Sequence, residues 1–206
     1  MWKQLDEIVQ TPYESEDGRK LKPMVVAIDS GGHHTSEVYQ YARERQSLGV
    51  IAIKGMSTKN KPPIGKASKV DLNAQGKTLK KGAQLFPVGS DTIKSLLFGR
   101  LKHNDVGPGY LHFYPTVEKD YFEELTAEKQ ILKYKNGFPV RVWVKSSSAR
   151  NEALDELVYA YAALNRVYQI KDRRTLWDQM EKSPEERKPS KTGKGNRVQK
   201  SFINQW

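Results

Sequence analysis

The feature that most restricts the fold is an apolar, mostly β-branched run, residues 24–28, that ends at Asp29 and a Gly-Gly pair. Such a run predicts a fully buried strand, and the glycines let the chain turn sharply and approach a ligand closely. Open α/β sheets bind ligands beyond the carboxyl ends of their strands, which is where Asp29 falls. The alternative is an ordinary Asp-Ser-Gly turn, and these residues alone do not decide between the two.

A helix and a second strand are predicted directly after this turn. Thr35 or Ser36 can cap the helix, and Gly49 is expected to end it. The largely apolar residues 50–55 predict a second buried, parallel strand that carries Lys54 near its end. A strand, a helix and a strand in this order predict the α/β class with a parallel crossover.

Further elements follow from apolar spacing. Pro87 favours an edge position or a bulge for its strand, and Ser90 or Asp91 can cap the helix after it. His112 lies in an aromatic strand and is expected in the core. The predicted helices cover residues 2–10, 117–128 and 150–167, besides the one after residue 90, and the further predicted strands cover residues 84–89 and 110–114.

The formal net charge of +11 makes a polyanion, and nucleic acid above all, the first partner to consider. A loop over residues 56–82 interleaves lysines, including Lys59 and Lys61, with Pro and Gly, and suits a phosphate backbone. The alternative is a solvated lysine-rich surface that serves solubility alone. Lys94 gains nothing from the helix dipole near a helix N-terminus, so its position favours a phosphate partner.

A hairpin is predicted over residues 130–144, where an Asn-Gly pair is typical of a two-residue turn. Alternation along the second strand puts Arg141, Trp143 and Lys145 on one basic and aromatic face. That face fits nucleic acid, although simple alternation at a sheet edge is the favoured explanation.

Three carboxylates suggest a metal site. Asp29 ends a strand, while Glu152 and Asp155 lie near the start of a long helix that can pack against it. Hard oxygen ligands suit Mg²⁺ or Mn²⁺, and two such ions can activate water for phosphodiester cleavage, as in a ribonuclease H-like nuclease. Alternatively, Glu152 and Asp155 serve only the helix dipole. His33 and His34 are either further ligands or solvated turn residues.

Composition excludes other kinds of site. The chain has no cysteine, so it has no disulfide and no thiolate-bound zinc, and no apolar run approaches the length of a membrane span. We expect a soluble, intracellular protein without a membrane partner. Residues 183–200 are rich in Pro, Ser, Lys and Gly and are expected to be disordered. The apolar Phe202, Ile203 and Trp206 at their end are typical of a docking peptide.

Six short motifs, in order along residues 2–168, resemble the nuclease half of lambda-type phage terminase large subunits. They are Asp29-Ser30-Gly31-Gly32-His33-His34-Thr35, Ile53-Lys54-Gly55, Val88-Gly89-Ser90-Asp91-Thr92 with Lys94, Gly107-Pro108-Gly109-Tyr110-Leu111-His112-Phe113, Leu125-Thr126-Ala127-Glu128, and Arg150-Asn151-Glu152-Ala153-Leu154-Asp155 with Tyr159-Ala160. Each motif is short, but six in the right order make the resemblance specific.

The resemblance implies a metal-dependent endonuclease of ribonuclease H-like fold, a mixed sheet flanked by helices. It implies cutting of concatemeric double-stranded viral DNA at genome ends in the cytoplasm of the bacterial host. The implied partners are the terminase small subunit and the capsid portal. By position, it implies catalytic roles for Asp29, Asp155 and the further motif residue Asp91, and DNA contacts for Lys54 and Lys94.

The resemblance also implies parts that this sequence lacks, namely an ATPase motor with a G-x-x-x-x-G-K-[ST] loop and an upstream strand with the first metal-binding aspartate. We therefore expect residues 1–168 to form an N-terminally incomplete nuclease domain and residues 169–206 a basic, flexible tail. Two other functions stay open: a non-catalytic DNA-binding or packaging fragment, and a resolvase-like nuclease of the same fold.

Overall fold

The run that ends at Asp29 forms a short strand, and the strand, helix and strand predicted around it are confirmed. The predicted ends of the helix are wrong, because His34 rather than Thr35 or Ser36 is at its cap and Gly49 ends a short 3-10 turn that follows it. In a computed structural model, which describes residues 2–70 and 82–182, this strand pairs in parallel with the next, and Asp29 lies opposite Ile53. The buried Ser30 ties the following turn to the neighbouring strand, because its Oγ donates a hydrogen bond to the Ile53 carbonyl oxygen at 2.8 Å.

Six α-helices and eight β-strands lie within the described residues. The helices are α1 (Trp2–Gln10), α2 (Thr35–Glu44), α3 (Ser90–Arg100), α4 (Lys119–Leu125), α5 (Glu152–Ile170) and α6 (Arg173–Glu181). The strands are β1 (Tyr13–Glu14), β2 (Lys20–Leu21), β3 (Val26–Asp29), β4 (Val50–Met56), β5 (Ser68–Val70), β6 (Ala83–Gly89), β7 (Glu128–Lys135) and β8 (Phe138–Lys145).

Four strands form the central sheet in the order β3-β4-β6-β5, and β5 runs antiparallel to its neighbour. Helices α1 and α2 cover one face, where Val9, Tyr41 and Ala52 share a core. Helices α3 and α5 cover the other face around Phe86 and Leu154. Each face buries an apolar stripe of its helices, so the predicted mixed sheet flanked by helices is confirmed.

Two predictions about strand position are wrong. Residues 24–28 predict a fully buried strand, but β3 is half-buried because it lies at the edge of the described sheet with β4 as its neighbour there. Pro87 predicts an edge position or a bulge for β6, which instead lies between β4 and β5 and pairs with β4 in a continuous register. Proline fits there because β5 pairs only with residues 83–85, and the Pro87 carbonyl oxygen accepts a hydrogen bond from Gly65 N at 2.8 Å.

Two predictions based on local sequence are also wrong. Neither Ser90 nor Asp91 caps α3, because the helix starts directly from β6 with Gly89 at the cap and both residues inside its first turn. Residues 110–114 form no strand, and His112 is exposed rather than in the core, with its ring 4.9 Å from that of Tyr110. Aromatic content alone does not make a strand where no neighbouring strand offers backbone partners.

The basic loop predicted over residues 56–82 packs in part. Ile64 is buried in the core and bridges to Val88, and β5 pairs with β6. The segment predicted as a loop therefore contains a buried residue and a short strand. Residues 71–81 lie outside the described residues.

The C-terminal elements extend further than predicted. The hairpin is confirmed as β7 and β8, with Asn136 and Gly137 both at positive φ, 52° and 80°, in its turn. Residues 169–182, predicted as the start of a flexible tail, complete α5 and form α6, which buries Leu176 and accepts a hydrogen bond from Arg19 at the Met180 carbonyl oxygen. The predicted docking peptide lies outside the described residues.

No helix within the described ranges has both the length and the apolar character that crossing a membrane requires.

Candidate functional site

Asp29 leaves the carboxyl end of β3 on the sheet face that α5 covers. Its exposed side chain accepts two hydrogen bonds, from Gly31 N to Oδ1 at 3.0 Å and from the Tyr159 hydroxyl to Oδ2 at 3.3 Å. The first bond belongs to the turn that an Asp-Ser-Gly sequence favours. The second joins β3 to α5, so Asp29 is both a turn former and a member of a tertiary side-chain cluster.

A glycine in β4 makes room for this contact. A Cβ atom at Gly55 would lie 3.0 Å from Ser90 Oγ and 3.3 Å from the Tyr159 hydroxyl oxygen. Both distances are shorter than ordinary carbon contacts, so a side chain at this position would displace one of the two hydroxyls. The absence of a side chain at the end of β4 therefore positions Tyr159 beside Asp29.

A buried lysine of α3 holds two carboxylates together. One of these carboxylates lies on α5, one turn before Tyr159. Lys94 Nζ lies 2.7 Å from Glu128 Oε1 and 3.5 Å from Asp155 Oδ1. Asn151 Nδ2 donates to the same two groups, at 2.8 Å to Glu128 Oε1 and 3.1 Å to Asp155 Oδ2. These contacts offset the repulsion between Glu128 and Asp155, and they join α3, β7 and α5.

Burial makes the ionised form of Asp155 costly. Desolvation raises the pKa of its carboxyl, the Lys94 ammonium lowers it, and the charges of Glu128 and Glu152 raise it again, with a net rise. Asp155 therefore holds a proton more tightly than an exposed aspartate, and a cation near it would favour its ionised form.

The Tyr159 hydroxyl lies under the influence of both aspartates. Desolvation raises its pKa well above the usual range of tyrosine, and the charges of Asp29 and then Asp155 raise it further. Tyr159 therefore stays protonated and remains a hydrogen-bond donor to Asp29 at any physiological pH. Its position shows that Asp29 and Asp155 belong to one electrostatic neighbourhood.

Asp91 adds a fourth carboxylate. It is half-buried in the first turn of α3, and desolvation raises its pKa, while the charges of Lys94 and Lys59 lower it and that of Glu128 raises it. The four residues of what is here named the carboxylate site are Asp29, Asp91, Glu128 and Asp155.

The predicted DNA-contacting lysines fall in different places. Lys94 has two carboxylate partners in the structure, and Lys59 is exposed near Asp91. Alternation along β4 turns Lys54 toward the α2 face with Ala52, whereas Gly55 faces Tyr159. Lys54 is therefore on the opposite face of the sheet from Asp29.

The other two predicted lysines lie at the borders of the site. Lys61 is exposed, and its backbone lies against Gly89 at the start of α3. Lys145 lies opposite Glu128 in the hairpin and donates from Nζ to the Ala149 carbonyl oxygen at 2.6 Å. Contact of these five lysines with DNA stays a prediction.

The predicted metal ligands do not form a closed cage. Glu152 is exposed, as are His33 and His34, and His34 Nδ1 lies 3.2 Å from Glu37 Oε1. Within residues 2–70 and 82–182, no group of three or more His, Asp or Glu side chains is arranged to hold a metal ion. The three-carboxylate metal site predicted from Asp29, Glu152 and Asp155 stays a prediction.

Two carboxylates of the site nevertheless have the right chemistry for a hard divalent cation. Asp29 and Asp155 act on the same Tyr159 hydroxyl and offer oxygen ligands, while Lys94 already balances Glu128. Mg²⁺ is usually bound through one or two carboxylates together with substrate phosphates and retained waters. The donor set therefore fits Mg²⁺ or Mn²⁺ held jointly with a phosphate, without a complete protein cage.

Glu128, Asn151 and Tyr159 were not predicted as site residues, although each lies in a motif quoted above. The spacing of Asn151 and Tyr159 around Asp155 on one helix is a signal that could have found them. No comparable signal exists for Glu128, because 34 residues separate it from Lys94 and only packing joins them.

Comparison with known proteins gives concordant results. The sequence matches the family described as terminase large subunit gpA, endonuclease domain, over residues 1–194. It is 32% identical over 169 residues to the terminase large subunit of Escherichia phage lambda and 31% identical over 169 residues to that of Enterobacteria phage P21.

Both alignments cover 78% of this chain and 25% of the relative, so the chain spans about a quarter of the length of these curated relatives. No solved structure matches the chain.

Proposed function

The chain belongs to the family of the terminase large subunit gpA endonuclease domain, and from this premise we propose that it cuts concatemeric double-stranded DNA at genome ends during viral packaging. The observation that carries the proposal is the link between Asp29 and α5, in which the Tyr159 hydroxyl lies 3.3 Å from Asp29 Oδ2 and is acted on by Asp155. A strand-end carboxylate that this hydroxyl contacts, with a helical carboxylate whose charge acts on the same hydroxyl, suits metal-assisted hydrolysis of a phosphodiester.

Each residue of the carboxylate site has a distinct task in this proposal. Asp29 is exposed at the end of β3 and accessible to a phosphate, and Tyr159 orients it through one carboxylate oxygen. Lys94 and Asn151 hold Asp155 beside Glu128 through contacts with both carboxylates. Because these contacts lie within the protein, they fix the arrangement of the site before a substrate binds.

Mg²⁺ or Mn²⁺ would be held by Asp29 and Asp155, with Glu152, whose charge acts on Asp155, as a further carboxylate on α5. Such an ion lowers the pKa of water and stabilises charge on the leaving oxygen of a phosphodiester. Asp91 lies near Lys94 and Lys59, where it can hold a proton or a water molecule beside the scissile phosphate. The positive charge of Lys59, Lys61 and Lys145 around the site supports binding of a polyanion.

The partners proposed for the chain follow from the same family. They are double-stranded DNA as substrate, and the terminase small subunit and the capsid portal as assembly partners. The proposed place of action is the cytoplasm of the bacterial host. The net charge of +11 supports the first of these.

Cleavage of supercoiled plasmid by the purified chain tests the proposal. With Mn²⁺ or Mg²⁺ present, Asp29→Asn and Asp155→Asn are each expected to lower the cleavage rate by about a hundredfold or more, which corresponds to about 3 kcal/mol on the barrier. Asn keeps the size of the side chain, so the loss reflects charge. Gel quantification of nicked and linear product measures it.

Asp105→Asn is the matched control, because Asp105 is exposed in the loop after α3 and lies outside the carboxylate site. It should cut at the parent rate. Cutting at the parent rate by both site variants would contradict the proposal. If the parent chain bound duplex DNA and never cut it, the result would favour the alternative of a non-catalytic DNA-binding fragment.

A further inference from the structure

The β7–β8 hairpin stands apart from the central sheet. It forms a separate two-stranded sheet in which each strand has eight residues, and most of its side chains are exposed. At the tip, Tyr134 and Phe138 are each 73% exposed, and Leu132 is 55% exposed. Large exposed apolar groups on a projecting ribbon indicate a surface that contacts a partner.

The charged side chains that the hairpin exposes to solvent are all basic. Its five basic residues are Lys129, Lys133, Lys135, Arg141 and Lys145, and its one acidic residue, Glu128, is buried against Lys94. Within the described part of the chain, Lys129, Lys133, Lys135 and Arg141 form no ion pair, so their charge is uncompensated. An uncompensated basic ribbon is complementary to a polyanion.

The register separates the hairpin into two faces. Glu128 and Trp143 point toward the body, where Glu128 contacts Lys94 and the Trp143 ring lies 4.8 Å from that of Phe98 on α3. Alternation then places the three lysines of β7 together on the opposite face. These are Lys129, Lys133 and Lys135, all of them exposed.

The root of the hairpin is part of the carboxylate site, because Glu128 is the first residue of β7. Eight residues at about 3.3 Å each give the ribbon a reach of roughly 26 Å. That reach matches roughly eight base pairs of duplex at 3.4 Å per pair. A two-stranded ribbon also has the width that the major groove of B-form DNA admits.

We infer that the β7–β8 hairpin is a duplex-gripping arm that lies along double-stranded DNA, with Lys129, Lys133 and Lys135 on the phosphates and Phe138, which pairs with Lys135 on the same face, in a groove. The arm deepens the proposed function, on which it rests for the location of the cut. Because it starts at the carboxylate site, it holds the same duplex that the site cleaves. Its contribution is to binding, and it does not enter the chemical step.

Equilibrium binding of a fluorescently labelled linear duplex tests the arm. Measurements with EDTA present exclude metal-dependent cutting, so failure of the arm and failure of the nuclease proposal are separate results. The variant K129Q/K133Q/K135Q is expected to bind at least tenfold more weakly than the parent. The magnitude of the slope of log K against log salt concentration should decrease by about 2 to 3. This decrease corresponds to about 0.9 for each phosphate that the variant no longer neutralises.

A charge-matched control separates the arm from a general basic surface. K3Q/K20Q/K22Q removes the same charge from exposed lysines on α1 and around β2, and it should lose much less affinity. K129R/K133R/K135R keeps the charge and should bind like the parent. Unfolding temperatures close to that of the parent show that each variant is folded.

Equal loss of affinity in the arm variant and the control would overturn the inference, because it would reduce the effect to net charge. An unchanged salt slope in the arm variant would overturn it as well.

Discussion

At the scale of single residues, Lys94 and Glu128 form the most deeply buried ion pair within the described residues, with side chains only 11% and 8% exposed. Sequence position suggests that Lys94 meets a phosphate, but the ammonium group balances a buried carboxylate of the protein itself. Removing one member of such a pair leaves an uncompensated buried charge, whereas removing both charges costs little.

Lys94→Met is therefore expected to lower the free energy of unfolding by about 3–5 kcal/mol. The double variant Lys94→Met/Glu128→Gln should recover most of that loss, since Gln keeps an acceptor for Asn151 and carries no charge. Denaturant-induced unfolding of the parent, both single variants and the double variant measures the coupling. If the double variant were as unstable as Lys94→Met, the stabilisation by Lys94 would not come from its pairing with Glu128.

At the scale of elements, the contact between β4 and α5 depends on Gly55. The glycine is not required by backbone conformation, since its φ is not positive; it is required by the space that Ser90 and Tyr159 occupy above it. The end of one strand and the second turn of one helix therefore meet only if no side chain lies between them.

Gly55→Ala is expected to lower the free energy of unfolding by about 1–3 kcal/mol, because the added methyl group overpacks the contact with Ser90 and Tyr159. The same change should weaken the hydrogen bond from Tyr159 to Asp29 and lower the rate of DNA cleavage. Thermal unfolding and the plasmid assay measure the two effects.

Gly99→Ala is the matched control for this substitution. Gly99 lies on the exposed side of α3, and a Cβ atom there would meet nothing within 4 Å. Alanine has the higher helix propensity, so this variant should be more stable than the parent by up to about 1 kcal/mol. If Gly55→Ala behaved like Gly99→Ala, steric exclusion at β4 would be ruled out.

At the scale of the whole molecule, the half-buried carboxylates couple folding to pH. Desolvation raises the pKa of Asp155 and of Asp91 above the 3.8 of an exposed aspartate. The folded chain thus binds these protons more tightly than the unfolded chain does. Each group therefore lowers the free energy of unfolding as pH rises from 3.8 through its raised pKa.

Asp155→Asn removes one of these groups, so its stability relative to the parent should increase as pH rises from about 4 through the raised pKa of Asp155 and then level off. The same variant should no longer cleave DNA, because the charge that lowers the stability of the fold is one that the proposed reaction needs. Thermal unfolding across this pH range measures the effect, with Asp105→Asn as the control. A difference between variant and parent that stays constant with pH would contradict it.

Much of the element structure could be predicted because its causes are local. The Asn-Gly pair and the alternation around it predict the β7–β8 hairpin, and the apolar stripe of α5 predicts that helix, with Asp155 near its start. Two of the wrong predictions depend on relations between elements. Pro87 lies in an inner strand because β5 is too short to need its missing N–H, and His112 is exposed because its segment has no partner strand.

The sequence by itself determined the main helices and strands of the core, because periodicity and turn chemistry act over a few residues, and it determined the family. Only the tertiary structure decided which polar groups meet. Lys94, Glu128 and Asp155 come from α3, β7 and α5, and their contacts exist only once these three elements pack. Pairing between residues far apart in the chain depends on the packing of whole elements, and no local pattern encodes it.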